Sequence, residues 1–239
     1  MKCAAALRVR PSRWIDLRHA LSYSLHMRFL ITAGPTREPL DPVRYLTNRS
    51  SGRMGYALAE AARDAGHEVL LISGPVCLPP PPGLECLKVE TARDMFEAVQ
   101  SRISEADVAV FAAAVADYRP AKPSSQKIKK GAATLTLELE RTEDILGSAR
   151  TIFGFRGTLV GFAAETENLV AHAEDKLSRK GCDLVIANDV SKPGVGFDSA
   201  ENAVTLCLRG GQTQVLPQQT KTALAAELIR FITSLVTPR

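Results

Sequence analysis

The stretch Phe29-Leu-Ile-Thr-Ala33, followed at once by Gly34-Pro35, is the part of the sequence from which the fold can be predicted. A short apolar run that ends in a Gly-Pro pair indicates a buried β-strand that meets a turn. Downstream, residues 52–65 are rich in Ala and end at Gly66, which predicts a helix, and Glu68–Ser73 (EVLLIS) predicts a second buried strand. Two continuous apolar strands joined through a helix indicate a parallel pair.

The alternation of strands and helices continues to the end of the chain. Thr91 and Asp94 have the spacing of a capping box and open a further predicted helix. Helices are also predicted over 167–180 and 222–236, and two short strands are predicted to flank residues 209–212 as a hairpin. Further buried strands are predicted at 107–113, 159–163 and 184–187.

These elements predict an α/β fold, with a Rossmann-like, mostly parallel sheet, helices on both faces and an antiparallel hairpin at one edge. Residues 119–141 change from polar and basic to alternating apolar, which predicts an extended arm. We therefore predict one domain over residues 28–239. Ligands bind such sheets beyond the carboxyl ends of the strands, so one cleft is expected to collect the loops after Ala33, Ser73, Ala113, Ala163 and Ala187.

The net positive charge of the chain is concentrated at its N-terminus. The formal net charge is +4, and residues 1–27 carry five basic residues against the single acid Asp16, so residues 28–239 are neutral. This distribution disfavours a generally basic nucleic-acid-binding protein. We interpret residues 1–27 as an extension outside the fold, either disordered or a misassigned start ahead of Met27. An Arg-rich transit peptide is the alternative.

Cysteine and histidine usage argues against a metal centre. The five Cys form no Cys-x-x-Cys pair and the four His are scattered singly. This usage predicts a reducing, cytoplasmic environment without a zinc site, and no side chain is assigned as a direct metal ligand. Since no stretch approaches about 18 consecutive apolar residues, no membrane-spanning segment is expected.

The densest group of candidate functional residues lies between the first strand and the first helix. Asn48, Ser50, Ser51 and Gly52 lead into the predicted N-terminus of that helix. Exposed N–H groups and the positive end of the helix dipole favour a phosphate there. The alternative is that Ser51 acts as an ordinary N-cap.

Two patterns resemble those of nicotinamide enzymes, and both lack the expected context. Gly52 and Gly55 lie about 18 residues or more after the first strand, whereas a dinucleotide fingerprint follows its strand directly. The second strand also ends without the acid that binds an adenosine ribose. Tyr118 and Lys122 have Tyr-x-x-x-Lys spacing, but the intervening Pro120 excludes a continuous helix. An NAD(P)-dependent Rossmann oxidoreductase is therefore the second hypothesis.

Further candidates follow the later strands, and each has a structural alternative. Residues 112–118 combine small side chains, which admit a flat ligand or allow tight packing, with Asp117, which can accept from a sugar or a base. Lys127-Ile-Lys-Lys130 suits a triphosphate or forms a solvated loop. The same choice between a ligand contact and a structural role applies to Phe162, Lys176, Lys180 and Asn188.

Together these motifs carry a resemblance to one family. The segments DPVRYLTNRSSGRMGYALAEAA (41–62), AAAVADYRP (112–120), KIKK (127–130), GFAAET (161–166) and ANDVS (187–191) occur in the family's order and spacing. They resemble bacterial phosphopantothenoylcysteine synthetase, the phosphopantothenate–cysteine ligase of coenzyme A biosynthesis. The resemblance extends from about residue 28 to the C-terminus, and it implies a stand-alone form without the flavin-dependent decarboxylase half.

The resemblance implies an activity and a set of partners. The family joins 4′-phosphopantothenate to L-cysteine through an acyl-cytidylate, converting CTP to CMP and pyrophosphate with Mg²⁺, and neither flavin nor nicotinamide is expected. The AAVADY and KIKK segments favour CTP over ATP. A cytoplasmic homodimer is implied, with the sites at the subunit interface and the 119–141 arm pairing with the second subunit. A separate decarboxylase is a further partner, whereas nucleic acid and membrane are not implied.

The resemblance also assigns roles to single residues. Asn48 is expected to hold the acyl-nucleotide, Arg44 to act in the second half-reaction and Lys127 to neutralise nucleotide phosphates. Asn188 is a candidate contact of the pantothenate arm. The loop that binds the substrate phosphate is predicted to comprise Gly34, Ser50, Ser51, Gly52 and Gly55. The nucleotide-binding positions are predicted to be Ala113, Ala114, Asp117, Lys127, Asp144, Ile145, Phe162, Lys176 and Lys180.

One segment departs from the family pattern. Thr142-Glu-Asp-Ile145 stands where the family has Asn-Pro-Asp-Ile. Thr142 is expected to cap the following helix. Glu143 adds a negative charge that suits a helix N-terminus but opposes a nearby triphosphate. We therefore expect Glu143→Pro to lower the Michaelis constant for CTP.

Overall fold

The first strand lies inside an eight-stranded sheet in the computed structural model, which describes residues 26–131, 133–165, 167–189 and 199–236. In chain order the strands are β1 (Arg28–Ala33), β2 (Arg37–Pro39), β3 (Tyr45–Thr47), β4 (Glu68–Ser73), β5 (Glu85–Lys88), β6 (Val108–Phe111), β7 (Tyr118–Pro120), β8 (Leu139–Arg141), β9 (Thr158–Glu165), β10 (Leu184–Asp189), β11 (Glu201–Leu208) and β12 (Thr213–Thr220). The helices are α1 (Arg53–Asp64), α2 (Ala92–Arg102), α3 (Ile145–Thr151), α4 (Leu169–Lys180) and α5 (Lys221–Leu235).

The topology of the sheet confirms the predicted Rossmann-like fold. Its order is β5-β4-β1-β6-β9-β10-β11-β12, in which the first six strands are parallel, β11 pairs antiparallel with β10, and β12 pairs antiparallel with β11. The order in which the chain adds strands therefore reverses between β1 and β6, with β4 and β5 on one side and the later strands on the other. The carboxyl ends of the strands diverge at this switch point and leave a crevice for a ligand.

Burial on both faces explains why the strands read as continuous apolar runs. Phe29 and Ile31 of β1 pack on one face of the sheet in a core cluster with Leu58 of α1 and Leu228 of α5. Leu30 points to the other face and packs with residues of α2, α3 and α4. Because successive strand side chains alternate between faces, covering both faces with helices requires every position to be apolar.

The two predicted caps of the first two helices have different outcomes. The capping box of α2 is confirmed, since the Thr91 side chain accepts from the Asp94 N–H and the Asp94 carboxylate accepts from the Thr91 N–H. The alternative role considered for Ser51, that of the N-cap of α1, is wrong. Gly52 is the N-cap, with a φ of 74° and no side-chain capping bond, because the chain enters α1 through a left-handed turn that favours glycine.

The start of α3 also differs from the expectation. Asp144, not Thr142, is its N-cap and accepts from the Gly147 N–H. The Thr142 hydroxyl instead donates to the Ala116 carbonyl at 2.5 Å, and the Thr142 N–H donates to the Asp117 carbonyl at 3.0 Å. Thr142 therefore joins the base of the arm to the loop after β6.

The described arm is largely extended. Strands β7 and β8 pair antiparallel at its base, with Tyr118 opposite Arg141, and the chain between them carries no further strand among the described residues. The Leu residues at 135, 137 and 139 alternate along it and are all exposed. These leucines lie on one face of the arm, and the described fold does not cover that face.

The N-terminal boundary of the fold includes Met27. Its side chain is only 3% exposed, and its carbonyl accepts from the Glu68 N–H at 2.9 Å. Met27, which the sequence assigned to the extension, therefore packs with the domain. The predicted extension over residues 1–25 lies outside the described residues, as do Thr166, Val190 and Ser191 of the motifs. No helix in the described ranges combines the length and apolarity needed to cross a bilayer.

Candidate active site

A cleft of about 900 Å³ opens at the switch point of the sheet. Its lining includes Thr32 at the end of β1, Ala113 after β6, Phe162 of β9 and Asn188 of β10. Four of the five loops expected to share a cleft therefore do so. The loop after β4 lines a separate cavity of about 570 Å³ instead.

Packing explains why the loop after β4 is excluded from the cleft. A Cβ atom on Gly34 or Gly52 would approach Val76 Cγ1 to 2.8 or 2.7 Å. Val76 thus fills the space beside both glycines, and each glycine has a positive φ near 75°. Gly55 has a similar constraint, because its Cβ would lie 2.5 Å from the Ala33 Cβ where α1 crosses β1. Packing accounts for these glycines, and their predicted role in phosphate binding stays a prediction.

Most of the predicted nucleotide-binding residues meet in the cleft, but two predicted catalytic residues do not line it. Arg44, Lys127, Ser50 and Ser51 are absent from its described lining, as are Gly34, Gly52 and Gly55. Residues from six separate segments of the chain are nevertheless brought together. The predicted residues that line the cleft are Asn48, Ala113, Ala114, Asp117, Asp144, Ile145, Phe162, Lys176, Lys180 and Asn188.

Asn48 is held at the wall of the cleft by the loop that follows β6. Its Nδ2 donates to the Ala114 carbonyl at 3.1 Å and to the Val115 carbonyl at 3.0 Å. Both amide hydrogens are therefore used within the protein. The side-chain carbonyl oxygen accepts no hydrogen bond from the described residues and is an acceptor for a ligand.

One face of α4 lines the cleft with ionisable side chains. Lys176 donates to the Phe162 carbonyl at 2.5 Å, and Lys180 forms an ion pair with Asp144. His172 and Arg179 also line the cleft, although the sequence did not single them out. Helical spacing is the signal that finds them, because residues three and four positions from Lys176 share its face.

Asp144 combines a structural and an electrostatic role. One carboxylate oxygen caps α3 by accepting from the Gly147 N–H at 3.0 Å, and the other faces Lys180. Burial alone raises the pKa of the Asp144 carboxyl, but the hydrogen bonds from Lys180 and Gly147 outweigh it and lower the pKa. Asp144 is therefore a charged group that holds a cleft lysine in place.

Glu143 lines the cleft with its charge already paired. Its carboxylate contacts Arg93 at 2.7 Å and Arg119 at 2.9 Å. Partial burial opposes ionisation, but hydrogen bonds, including those from Arg119, together with the charge of Arg93, lower the pKa of Glu143. The repulsion expected between Glu143 and a triphosphate is therefore reduced by two guanidinium groups that the sequence did not connect to it.

Arg44 contacts the arm next to Lys127. The Arg44 guanidinium contacts the Asp41 carboxylate and donates to the Ile128 carbonyl at 2.7 Å. Lys127, the residue before Ile128, is exposed. Two of the three predicted catalytic residues thus belong to one cluster, formed where the Arg44 side chain meets the arm, and neither is in the described lining of the cleft.

Comparison with known proteins identifies the family of this domain. The family model described as the DNA/pantothenate metabolism flavoprotein C-terminal domain matches residues 25–235. The chain belongs to this family. Among its relatives, the coenzyme A biosynthesis bifunctional protein CoaBC of Vibrio vulnificus (strain YJ016) is 46% identical over 209 residues, which cover 87% of this chain and 52% of the relative. The chain thus spans about half the length of the curated relatives it matches.

Solved structures of the flavoprotein C-terminal domain family share the fold. The crystal structure of the C-terminal domain of CoaBC is 42% identical, has a TM-score of 0.75 and covers 90% of this chain and 98% of that one. The DNA/pantothenate metabolism flavoprotein from Streptococcus pneumoniae is 26% identical with a TM-score of 0.75, covering 87% and 99%. The match to nearly the whole of both chains shows that this sequence corresponds to the C-terminal domain.

Proposed function

We propose that this domain is a phosphopantothenate–cysteine ligase that acts in coenzyme A biosynthesis through an acyl-cytidylate. The observation that carries the proposal is the cleft at the switch point, where ten of the predicted site residues meet. The family supports it, since a structure named as the C-terminal domain of a coenzyme A biosynthesis protein is 42% identical. A nicotinamide oxidoreductase is not favoured by these relatives.

The first half-reaction activates a poor leaving group. The carboxylate of 4′-phosphopantothenate attacks the α-phosphorus of CTP in line, the bond to the β-phosphate oxygen breaks, and pyrophosphate leaves. Charge accumulates on the phosphate oxygens, so cations fixed in advance lower the barrier. Lys176 and Lys180, held on one face of α4, supply such charge in the cleft. Lys127 supplies it from the neighbouring cluster.

The second half-reaction forms the amide. The neutral amine of L-cysteine attacks the acyl carbon, CMP leaves with the bonding electrons, and the amine loses a proton. Asn48 presents an acceptor oxygen at the cleft wall because its two amide hydrogens are bound by carbonyls at 3.1 and 3.0 Å. Positioning the acyl-nucleotide against the amine supplies much of the rate enhancement. Arg44 is proposed to act in this step.

Mg²⁺ fits this site as a companion of the nucleotide. The described residues contain no group of three or more His, Cys, Asp or Glu side chains that could hold a metal ion. Mg²⁺ usually keeps waters and binds phosphates with only one or two carboxylates. Asp117, an exposed carboxylate in the lining, is the group that suits such contact. Bound there, the ion would neutralise phosphate charge.

A homodimer is the proposed working form. Tyr118, Leu135, Leu137 and Leu139 of the arm are 46%, 62%, 38% and 43% exposed. Apolar side chains grouped on an extended arm are suited to pairing with another chain. We further propose a cytoplasmic location and a separate decarboxylase that consumes the product.

One experiment separates the ligase from its alternatives. The protein is incubated with 4′-phosphopantothenate, L-cysteine, Mg²⁺ and each nucleoside triphosphate in turn, and pyrophosphate is measured. We expect pyrophosphate to be released with CTP, and only when phosphopantothenate is present. No release with any nucleotide contradicts the ligase, and tight binding in a fluorescence titration with NAD(P) favours the oxidoreductase.

A further inference from the structure

A buried carboxylate outside the cleft organises the neighbouring cluster. Asp41 lies in the loop between β2 and β3, and its side chain is fully buried. Its Oδ1 accepts from the Val43 N–H at 2.8 Å and from the Arg44 N–H at 2.9 Å. An Asp that accepts hydrogen bonds two and three residues ahead fixes the shape of its own turn. One oxygen of Asp41 is therefore committed to the loop.

The other oxygen reaches two further groups. Asp41 Oδ2 accepts from Arg44 Nε at 3.0 Å, from Arg44 Nη2 at 2.5 Å and from the Ile128 N–H at 3.0 Å. Arg44 Nη2 also donates to the Ile128 carbonyl at 2.7 Å. The Asp41–Arg44 pair therefore forms hydrogen bonds with both the N–H and the carbonyl of Ile128, which lies 87 residues from Asp41 in the chain.

The loop of residues 40–44 holds the part of the described arm that lies away from its base. Within residues 122–131 and 133–137, the hydrogen bonds to other parts of the described protein run to the loop of residues 40–44 alone. They comprise the two Ile128 contacts and the Ser124 N–H that donates to the Leu40 carbonyl at 2.9 Å. Lys127, exposed and adjacent to Ile128, takes its backbone position from these bonds.

We infer that Asp41 is the positioning residue of the site, fixing Arg44 directly and Lys127 through Ile128. The inference rests on the proposed function, in which these two cations serve the two half-reactions. The hydrogen bonds from Arg44 hold the pKa of Asp41 well below its ordinary value against the opposing effect of burial. The carboxylate is therefore ionised and available as an acceptor at every pH at which the enzyme is assayed.

Asp41→Asn tests this inference. The amide keeps the side-chain volume but places an NH2 donor where Oδ1 or Oδ2 now accepts from N–H groups. The hydrogen bonds accepted by at least one of the two oxygens are therefore lost. Since misplacing a catalytic group by about 1 Å can cost about 100-fold, we expect kcat to fall about 10- to 100-fold for pyrophosphate release and for ligation. Asp183→Asn is the control, because Asp183 lies outside the described lining of the cleft and is also an arginine-paired carboxylate. It pairs with Arg150 at 2.6 Å and Arg209 at 3.5 Å and accepts from the Leu159 N–H at 2.9 Å.

A second readout requires no substrate. Hydrogen exchange of the backbone amides in residues 124–130 is compared between the unmodified chain and Asp41→Asn by mass spectrometry. We expect faster exchange in Asp41→Asn and unchanged exchange in Asp183→Asn. Because this measurement is independent of turnover, it separates failure of the inference from failure of the proposed function. Unchanged exchange in Asp41→Asn overturns the anchoring.

A double-mutant cycle tests whether Asp41 acts through Lys127. If it does, Asp41→Asn slows pyrophosphate release far less in a Lys127→Gln background than in the unmodified chain. Full additivity, or an unchanged kcat in folded Asp41→Asn, overturns the positioning role. Should Asp41→Asn fail to fold, Ile128→Pro removes the N–H given to Oδ2, together with the Ile128 side chain, while Asp41 and Arg44 stay unchanged. The same slowing of pyrophosphate release is expected. Normal release in folded Ile128→Pro contradicts the inference.

Discussion

Asn48→Asp is the substitution whose effect follows most directly from the geometry of the cleft. The asparagine donates two hydrogen bonds, to the Ala114 and Val115 carbonyls. An aspartate carboxylate has no hydrogen to donate and would face both carbonyl oxygens with a full negative charge. We expect the side chain to turn away from these carbonyls and to leave the cleft wall without its acceptor in the required position.

The two lost hydrogen bonds set the size of the expected fall in kcat. Each contributes about 1 kcal/mol net, so the native placement becomes less favourable by about 2 kcal/mol. At about 1.4 kcal/mol per tenfold change, the ratio of native to displaced placements falls about 30-fold. The added charge near the phosphates of the intermediate lowers turnover further. We therefore expect kcat for ligation to fall at least about 30-fold.

The assay follows phosphopantothenoylcysteine formation and pyrophosphate release in parallel, with folding checked by thermal unfolding. Asn48→Ala is the control for charge, since it removes both hydrogen bonds and the acceptor oxygen without adding charge. It is expected to lose at least about 30-fold and to remain more active than Asn48→Asp. Near-normal turnover in folded Asn48→Asp would refute the role of the two hydrogen bonds. Equal turnover in the two variants would refute the contribution of the added charge.

Three further substitutions probe the charge and the core. Lys127→Gln should slow pyrophosphate release, whereas fast release with failed ligation would place the role of the lysine elsewhere. Glu143→Gln, like Glu143→Pro, removes negative charge beside the triphosphate and should lower the Michaelis constant for CTP; an unchanged or higher value contradicts this. The pKa of Glu143 is lowered in the fold, so its ionised form stabilises the protein at pH values above the ordinary carboxyl pKa. The difference in the free energy of unfolding between Glu143→Gln and the unmodified chain, measured in urea, should therefore vanish as pH falls through the lowered pKa. Leu58→Ala, at a fully buried position, should cost about 2–5 kcal/mol by urea unfolding while the Michaelis constants stay unchanged.

The parallel core of the sheet could be predicted because its sequence signal is strong. Runs such as EVLLIS at residues 68–73 are buried on both faces and read as continuous apolar strands. Strands β2, β3 and β5 were missed, since they have only three, three and four residues, and β3 and β5 expose most of their positions. In such short segments, pairing with neighbouring chain decides the structure, and local composition does not.

The cleft could be predicted in outline, and its internal pairing could not. The rule that ligands bind beyond the carboxyl ends of parallel strands predicted a shared cleft, and the family resemblance assigned Asn48, Phe162 and Lys180 to it. The bonds that hold these side chains join segments far apart in sequence, as between Lys180 and Asp144, 36 positions away. A single sequence carries no signal for such contacts.

The caps show a similar limit. Ser51 and Thr142 are favourable N-cap residues by type, yet Gly52 and Asp144 cap the helices. In each case the chain path into the helix decides the cap. Gly52 allows a left-handed turn beside Val76, and Thr142 is already committed to the carbonyls of residues 116 and 117.

The ion pairs that line the cleft give it a built-in set of counter-ions. Lys180 is matched by Asp144, and Arg179 by Asp175 at 3.2 Å. In the proposed function, an incoming nucleotide would exchange partners with these carboxylates. The cleft would then favour a polyanion through competition for cations that are already paired, and long-range attraction would play a lesser part.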